Sequence, residues 1–205
     1  MPTDLPNLLT ISRIAAIPVL VVFAALGRPW ADLAACLIFA AAGITDYFDG
    51  KIARDRGVTS SFGRMLDPIA DKLLVGAALM LLAGLGRLSQ AALYPAIVIM
   101  LREIMVSGLR EYLAELRVGL PVTRLAKWKT GFQMGALGTL LAGDTGASVI
   151  GLGVLPVSLI GEIGLWVAAA LTLATGWDYL RAGLRHAGAQ DAAPPPPGGG
   201  SAARP

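Results

Sequence analysis

The sequence predicts an all-α integral membrane protein: six transmembrane helices, an N-terminal interfacial amphipathic segment, and both termini cytoplasmic. Three observations predict it. The 205-residue chain is 55% apolar and only 15% charged, with a mean hydropathy of +0.66, which excludes an ordinary soluble domain. Its apolar residues gather into six segments separated by short polar or glycine- and proline-containing turns. Its lysines and arginines collect in alternate loops. Residues 1–185 form one six-span domain and residues 186–205 a tail.

Residues 1–13 are amphipathic, with Pro2 and Pro6 early, and are expected to lie along the interface. They lead into a first span at residues 14–26. That stretch is shorter than the roughly 20 residues a bilayer needs, so its early turns must include residues 7–13. No cleaved signal peptide is expected, because Asp4 precedes any basic residue and the first apolar run leads into further spans. Gly27-Arg28-Pro29-Trp30 makes a turn, with Trp30 as an interface anchor.

The second span covers residues 31–53 and the third residues 65–85. Asp67-Pro68 suits an N-cap followed by proline in the first helical position, or a helix that starts earlier and bends at Pro68. The fourth span, residues 91–113, carries Arg102, Glu103, Arg110 and Glu111, with Glu103, Ser107 and Arg110 on one stripe. A basic connector precedes the fifth span at residues 130–142. A loop from Gly143 to Gly146 leads to a sixth span at residues 149–179, with a lead-in broken at Pro156. From His186 onward the proline- and glycine-rich sequence cannot bury a core and is expected to be disordered. The sole cysteine, Cys36, sits in an apolar segment and allows no disulfide framework.

Topology follows from the basic residues. Arg28 and Arg87 stand nearly alone in the first and third loops. Lys51, Arg54, Arg56 and Arg64 fill the second, Arg117, Arg124, Lys127 and Lys129 the fourth, and Arg181 and Arg185 the C-terminal end. The even-numbered loops and both termini then face the cytoplasm.

One stretch carries chemistry. Asp46, Asp49, Asp67 and Asp71 fall at the junction of the second and third spans. At about 100° per residue, Asp46, Asp49, Gly50 and Ala53 share one helix face, and Asp67 and Asp71 share one face of the next. Carboxylates this dense beside apolar segments repel one another and lose hydration, so they require raised pKa values or cations between them. Oxygen ligands with no histidine or cysteine nearby suit hard ions such as Mg²⁺ or Mn²⁺. Solvated loop acids are the bland alternative, and Gly50, Ala53 and Gly63 argue against it by leaving room beside the acids for a helix or a bulky ligand.

The pattern Asp46-x2-Asp49-Gly50-x2-Ala53-Arg54-x8-Gly63-x3-Asp67-x3-Asp71 resembles the signature of the CDP-alcohol phosphotransferase family, with every fixed position present. Leu5-Pro6-Asn7-Leu8-Leu9-Thr10-x-x-Arg13, Leu66-Asp67-Pro68-x-Ala70-Asp71-Lys72, Arg102-Glu103-Ile104 and Leu109-Arg110-Glu111 resemble its bacterial branch that uses sn-glycerol 3-phosphate as acceptor. The likeness covers roughly residues 4–182. It implies transfer of a phosphatidyl group from CDP-diacylglycerol to glycerol 3-phosphate with release of CMP, in a homodimer in the bacterial cytoplasmic membrane, its site facing the cytoplasm among membrane lipids. No nucleic-acid partner is expected.

The same resemblance implies that Asp46, Asp49, Asp67 and Asp71 hold two divalent ions, with Asp71 the general base. It places Gly50, Ala53, Arg54 and Gly63, with Asn7 and Thr10, near the CDP moiety. Two such ions, about 3.5–4 Å apart, bridge phosphates and both reacting oxygens, and Arg54 adds charge-assisted hydrogen bonds. An aspartate of ordinary pKa, about 3.9, is a poor base at neutral pH, so Asp71 needs help from desolvation or a cation. The anionic acceptor needs cations of its own. The candidates are Arg102, Arg110, Arg124, Lys127 and Lys129, against the alternative that connector cations serve only topology and lipid headgroups. A Glu103–Arg110 pair is a further structural alternative. Competing functions are the same chemistry with phosphatidylglycerol, inositol phosphate or serine as acceptor, an ion or proton transporter, and a noncatalytic lipid binder. Transport predicts acids near the bilayer midplane, whereas these cluster at one end of two spans.

Overall fold

A computed structural model describes residues 5–56, 61–115 and 124–191. Among them are six α-helices and no strand: α1 (Leu5–Ala25), α2 (Pro29–Arg56), α3 (Ser61–Gly84), α4 (Gln90–Glu115), α5 (Arg124–Val149) and α6 (Val157–Asp191).

Several boundaries differ from the sequence expectation, each for a local reason. Pro6 falls in the first turn of α1, where a missing N–H goes unnoticed, so the helix begins at Leu5. The described part of the expected interfacial segment is therefore the first turns of α1 itself. Pro29 opens α2, where the Arg28 carbonyl accepts from the Ala31 and Asp32 amides, both at 2.9 Å. α3 starts at Ser61 with Pro68 inside it, which sets aside the Asp67 N-cap. Its other end closes on Gly86 at φ 65°: the Arg87 amide reaches the Leu82 carbonyl at 2.9 Å and the Gly86 amide that of Ala83 at 3.1 Å, a left-handed cap that glycine adopts without strain.

In α5 the expected loop at residues 143–146 is a kink. Gly143 alone leaves helical geometry, at φ 58° and ψ −176°, and the helix resumes to Val149. α6 begins after Pro156 and continues to Asp191, so the expected disordered tail does not start at His186. Alanines and polar residues follow His186 there, and the proline run that cannot continue a helix comes only after Asp191. Residues 192–205 lie outside the described residues.

The helices pack as a ring in the order α1, α2, α5, α6, α4, α3, with α3 also touching α5. The core combines small and large side chains: Ala35, Ala78, Ala92 and Ala168 interleave with Leu20, Phe39, Leu74, Leu82, Ile99, Leu137 and Leu165. Outside, Leu37, Met80, Leu101 and Trp166 are 61%, 72%, 64% and 50% exposed. A surface as oily as its interior, over small residues that let helices approach, is the arrangement a lipid solvent favours. Helices α1, α2, α4 and α6 are long and apolar enough to cross a membrane. α3 and α5 carry more charge, including Asp67, Asp71, Lys127 and Lys129.

Contacts at one end of the bundle establish its up-and-down alternation. Arg87, in the turn between α3 and α4, pairs with Asp32 at the start of α2. It also donates to the Leu141 carbonyl of α5 at 3.0 Å and the Ala24 carbonyl of α1 at 3.3 Å. Thr145 of α5 donates to Asp32 at 2.9 Å. Glu162 of α6 accepts from the amide and hydroxyl of Ser89, both at 2.8 Å, just before α4. The start of α1, the end of α2 and the start of α3 therefore meet at the other end, with the aspartates.

Candidate active site

Three helices meet around Arg13. Its side chain is fully buried, and Nη1 lies 2.7 Å from Asp46 Oδ1 of α2 and 2.6 Å from Asp71 Oδ1 of α3. The two carboxylate oxygens share one nitrogen, so their separation cannot exceed those two lengths laid end to end. One turn earlier on α1, the buried Thr10 hydroxyl donates to Asp67 Oδ1 at 2.6 Å. Residues 10 and 13 are neighbours on one helical face, as are residues 67 and 71 on theirs. The faces of α1 and α3 thus meet in register, Thr10 with Asp67 and Arg13 with Asp71. Asp46 and Asp71 remain half-open, with side chains 41% and 50% exposed. Gly63 and Ala70 are buried in α3 beside these acids.

Of the predicted metal set, Asp46, Asp67 and Asp71 are brought to this corner. Asp49 lies on α2, and its side chain falls outside the described residues. The same holds for the side chains of Asn7, Ala53 and Arg54, and for Gly50, all predicted near the nucleotide. Among the described residues no three histidine, cysteine, aspartate or glutamate side chains surround one point. The donor set nonetheless fits a hard cation. Two carboxylate oxygens from different helices converge where a guanidinium nitrogen already provides positive charge, and only oxygen ligands are present.

A second polar cluster joins α4, α5 and α6. Arg102 is 7% exposed and threads between helices. Its Nε donates to the Thr172 carbonyl at 3.1 Å, Nη2 to Thr175 Oγ1 at 2.8 Å, and Nη1 lies 3.3 Å from Glu103 Oε1. Gly176 makes room for it: a Cβ there would stand 3.2 Å from Arg102 Cγ. The same Glu103 oxygen pairs with the buried Lys129 of α5. Arg110 instead donates to the Tyr179 hydroxyl at 2.6 Å, its guanidinium 4.9 Å from the ring centroid. The stripe read from the sequence therefore splits: Glu103 turns to α5 and Arg110 to α6.

These contacts sort the predicted acceptor cations. Arg102 and Lys129 are buried and share Glu103, so both tie helices together. Arg110 and Lys127 are exposed, and the Arg124 side chain lies outside the described residues. Asp71 and Arg102 stand at comparable heights, each between about three and four turns from the α3–α4 turn.

Arg13 and Tyr179 are site residues to which the sequence reading assigns no role, although Arg13 is a fixed position of the N-terminal stretch that carries the resemblance. Arg13 carries a signal all the same, since a lone arginine within a first apolar span is costly unless it has a buried partner. Tyr179 carries none, because a tyrosine near a span end reads as an interface anchor.

Residues 3–174 match the CDP-alcohol phosphatidyltransferase family. A protein of Rickettsia bellii named CDP-diacylglycerol--glycerol-3-phosphate 3-phosphatidyltransferase is 49% identical over 179 residues, covering 87% of this chain and 94% of its own length. Proteins of the same name from Cereibacter sphaeroides and Pectobacterium atrosepticum are each 40% identical, the first across 90% of this chain and 97% of its own, the second across 89% and 96%.

Proposed function

The chain belongs to the CDP-alcohol phosphatidyltransferase family, and on that premise we propose that it transfers the phosphatidyl group of CDP-diacylglycerol to sn-glycerol 3-phosphate, giving phosphatidylglycerophosphate and CMP. The observation that carries the reading is the meeting of Asp46 and Asp71, from separate helices, on one nitrogen of Arg13. The near end-to-end likeness to relatives that bear this activity in their names supports it.

The reaction joins a hydroxyl oxygen of glycerol 3-phosphate to the phosphorus that bears diacylglycerol. The bond from that phosphorus to the oxygen bridging to CMP breaks, and CMP leaves with the electron pair. Asp71, half-open at the corner of α2 and α3, accepts the hydroxyl proton. Asp46, Asp67 and Asp71, with Asp49, would hold two Mg²⁺ or Mn²⁺ ions, which when bound would neutralise the charge of the pyrophosphate. Thr10 keeps the Asp67 carboxylate turned toward the corner. Gly63 and Gly50 put no side chain on the nucleotide's side, and Asn7, Ala53 and Arg54 complete it.

The acceptor phosphate is held by Arg110, with Lys127 and Arg124 extending the positive field along the connector. Arg102 and Lys129 keep α4 and α5 in place behind them. The alternating bundle supports six membrane crossings with both termini on the side of the aspartates; our reading further puts that side in the cytoplasm, the bundle in the bacterial inner membrane and the enzyme in a homodimer.

The test is CMP release by the purified protein with CDP-diacylglycerol and Mg²⁺, offering glycerol 3-phosphate, phosphatidylglycerol, inositol phosphate and serine in parallel. Release that depends on glycerol 3-phosphate and is lost in Asp71→Asn is expected. Release with another acceptor would discard the substrate assignment, and release retained by Asp71→Asn would discard the base.

A further inference from the structure

We infer that Arg13 is a positioning residue of this centre, a built-in cation that fixes the Asp46 and Asp71 carboxylates to one point and moderates their pull on divalent ions. The inference rests on the proposed role of those aspartates as metal ligands. Its own evidence is geometric: a side chain with no solvent exposure contacts one oxygen of each carboxylate, at 2.7 and 2.6 Å.

Burying a guanidinium in an apolar bundle is unfavourable without compensation. Asp46 and Asp71 provide it and are themselves relieved of mutual repulsion. Two carboxylates this close at the half-open rim of a bundle repel each other, because water there screens them only in part. One fixed positive charge between them lowers the net charge that a divalent ion encounters.

Removing that charge has two opposing effects on metal binding. The carboxylates could splay, which weakens binding, or stay in place and attract the ion more strongly. Packing decides for the second. α1 packs against both α2 and α3, and Leu20, Ala24, Ala35, Phe39, Leu74 and Ala78 of these helices belong to one buried core. The backbones that carry Asp46 and Asp71 therefore hold without Arg13. A neutral residue there leaves a tighter metal site with less well oriented carboxylates.

The experiment uses the full chain in detergent with CDP present, titrated with Mn²⁺ and followed by the electron paramagnetic resonance signal of the free ion. Arg13→Gln and Arg13→Met are expected to bind Mn²⁺ about tenfold more tightly than the wild type, while kcat for CMP release falls at least about tenfold. Arg13→Lys keeps the charge, so its Mn²⁺ affinity should stay within about twofold of wild type and part of kcat should return. A merely structural Arg13 would alter stability and leave the Mn²⁺ affinity of the folded protein unchanged. Neutral variants that bind Mn²⁺ as the wild type does, or more weakly, overturn the inference and leave the metal reading standing. If the neutral variants are lost on purification, Mn²⁺ during extraction must restore their yield, because the ion replaces the missing charge; failure to restore it also overturns the inference. A wild type that binds no Mn²⁺ overturns the metal reading and this inference with it.

Discussion

Asp32, at the start of α2, and Arg87, in the turn between α3 and α4, form an ion pair at the end of the bundle opposite the aspartate corner, with Asp32 buried and Arg87 partly open to solvent. Arg87 also serves carbonyls of α1 and α5, and Asp32 accepts from Thr145. One pair thus closes four elements. Breaking one side of a fully buried pair costs about 3–5 kcal/mol, and the partial access of Arg87 to solvent puts Asp32→Ala at or below the lower end, whereas replacing both partners by apolar groups costs much less. Asp32→Ala should therefore lower thermal stability in detergent far more than the double change Asp32→Leu with Arg87→Met. CMP release by the Asp32→Ala protein that stays folded should remain close to wild type, since the pair is remote from the reacting groups. A double change as damaging as the single one would contradict this account.

The hydroxyl of Thr10 acts through Asp67. A hydrogen bond to a charged group is worth about 1.5–3 kcal/mol, and if that orientation is needed at the transition state, its loss lowers the rate by roughly 10- to 100-fold. Thr10→Val, nearly the same shape, should lose kcat on that scale with little change in melting temperature, and Thr10→Ser should recover most of it. Steady-state CMP release across the three proteins checks the prediction. Full activity in Thr10→Val, or a loss in Thr10→Ser as large as in Thr10→Val, would contradict the assignment of the effect to the hydroxyl alone.

How much of these sites is legible in the sequence depends on the range of the interaction. Periodicity shows which acids share a helix face, so spacing alone groups Asp67 with Asp71, and loop charges indicate the alternation. The fixed spacing of the eight-position pattern points to the acidic corner as a unit. Contacts between helices distant in sequence are not legible. Nothing local says that Arg13 reaches α2 and α3, that Glu103 turns to Lys129 and away from Arg110, or that Arg87 is a tie between helices and not a loop charge. Prolines are read unevenly: Pro6 misleads, because the first turn has no N–H bond to lose, whereas for Pro68 the alternative of a helix starting before it is the one α3 adopts.

Arg110 and Tyr179 give the acceptor assignment a graded test. Arg110→Ala should raise the KM for glycerol 3-phosphate by about 10- to 100-fold, the value of a charge-assisted contact, and leave the KM for CDP-diacylglycerol nearly unchanged. Tyr179→Phe keeps the ring under the guanidinium but removes the hydroxyl that accepts from Arg110 Nη2. It should raise the same KM by a smaller factor. Initial rates with each substrate varied in turn decide the matter, and an equal effect of Arg110→Ala on both KM values would remove Arg110 from the acceptor site.

The seam between α5 and α6 depends on Gly161. A Cβ at that position would stand 2.7 Å from Leu140 Cγ and 2.8 Å from Thr139 Oγ1. Leu140 is 1% exposed and belongs to the core, so it cannot swing away without disturbing its neighbours. Overpacking of this kind typically costs about 1–3 kcal/mol. Gly161→Ala should lower the melting temperature accordingly, and Leu140→Ala alone should cost about 2–5 kcal/mol through the cavity it leaves. The two changes touch the same space, so the added methyl group fills part of that cavity and their effects should combine to less than their sum. Thermal unfolding of the two single variants and the double variant measures the coupling. Strict additivity would show that Gly161 is needed for something other than the close approach of Leu140.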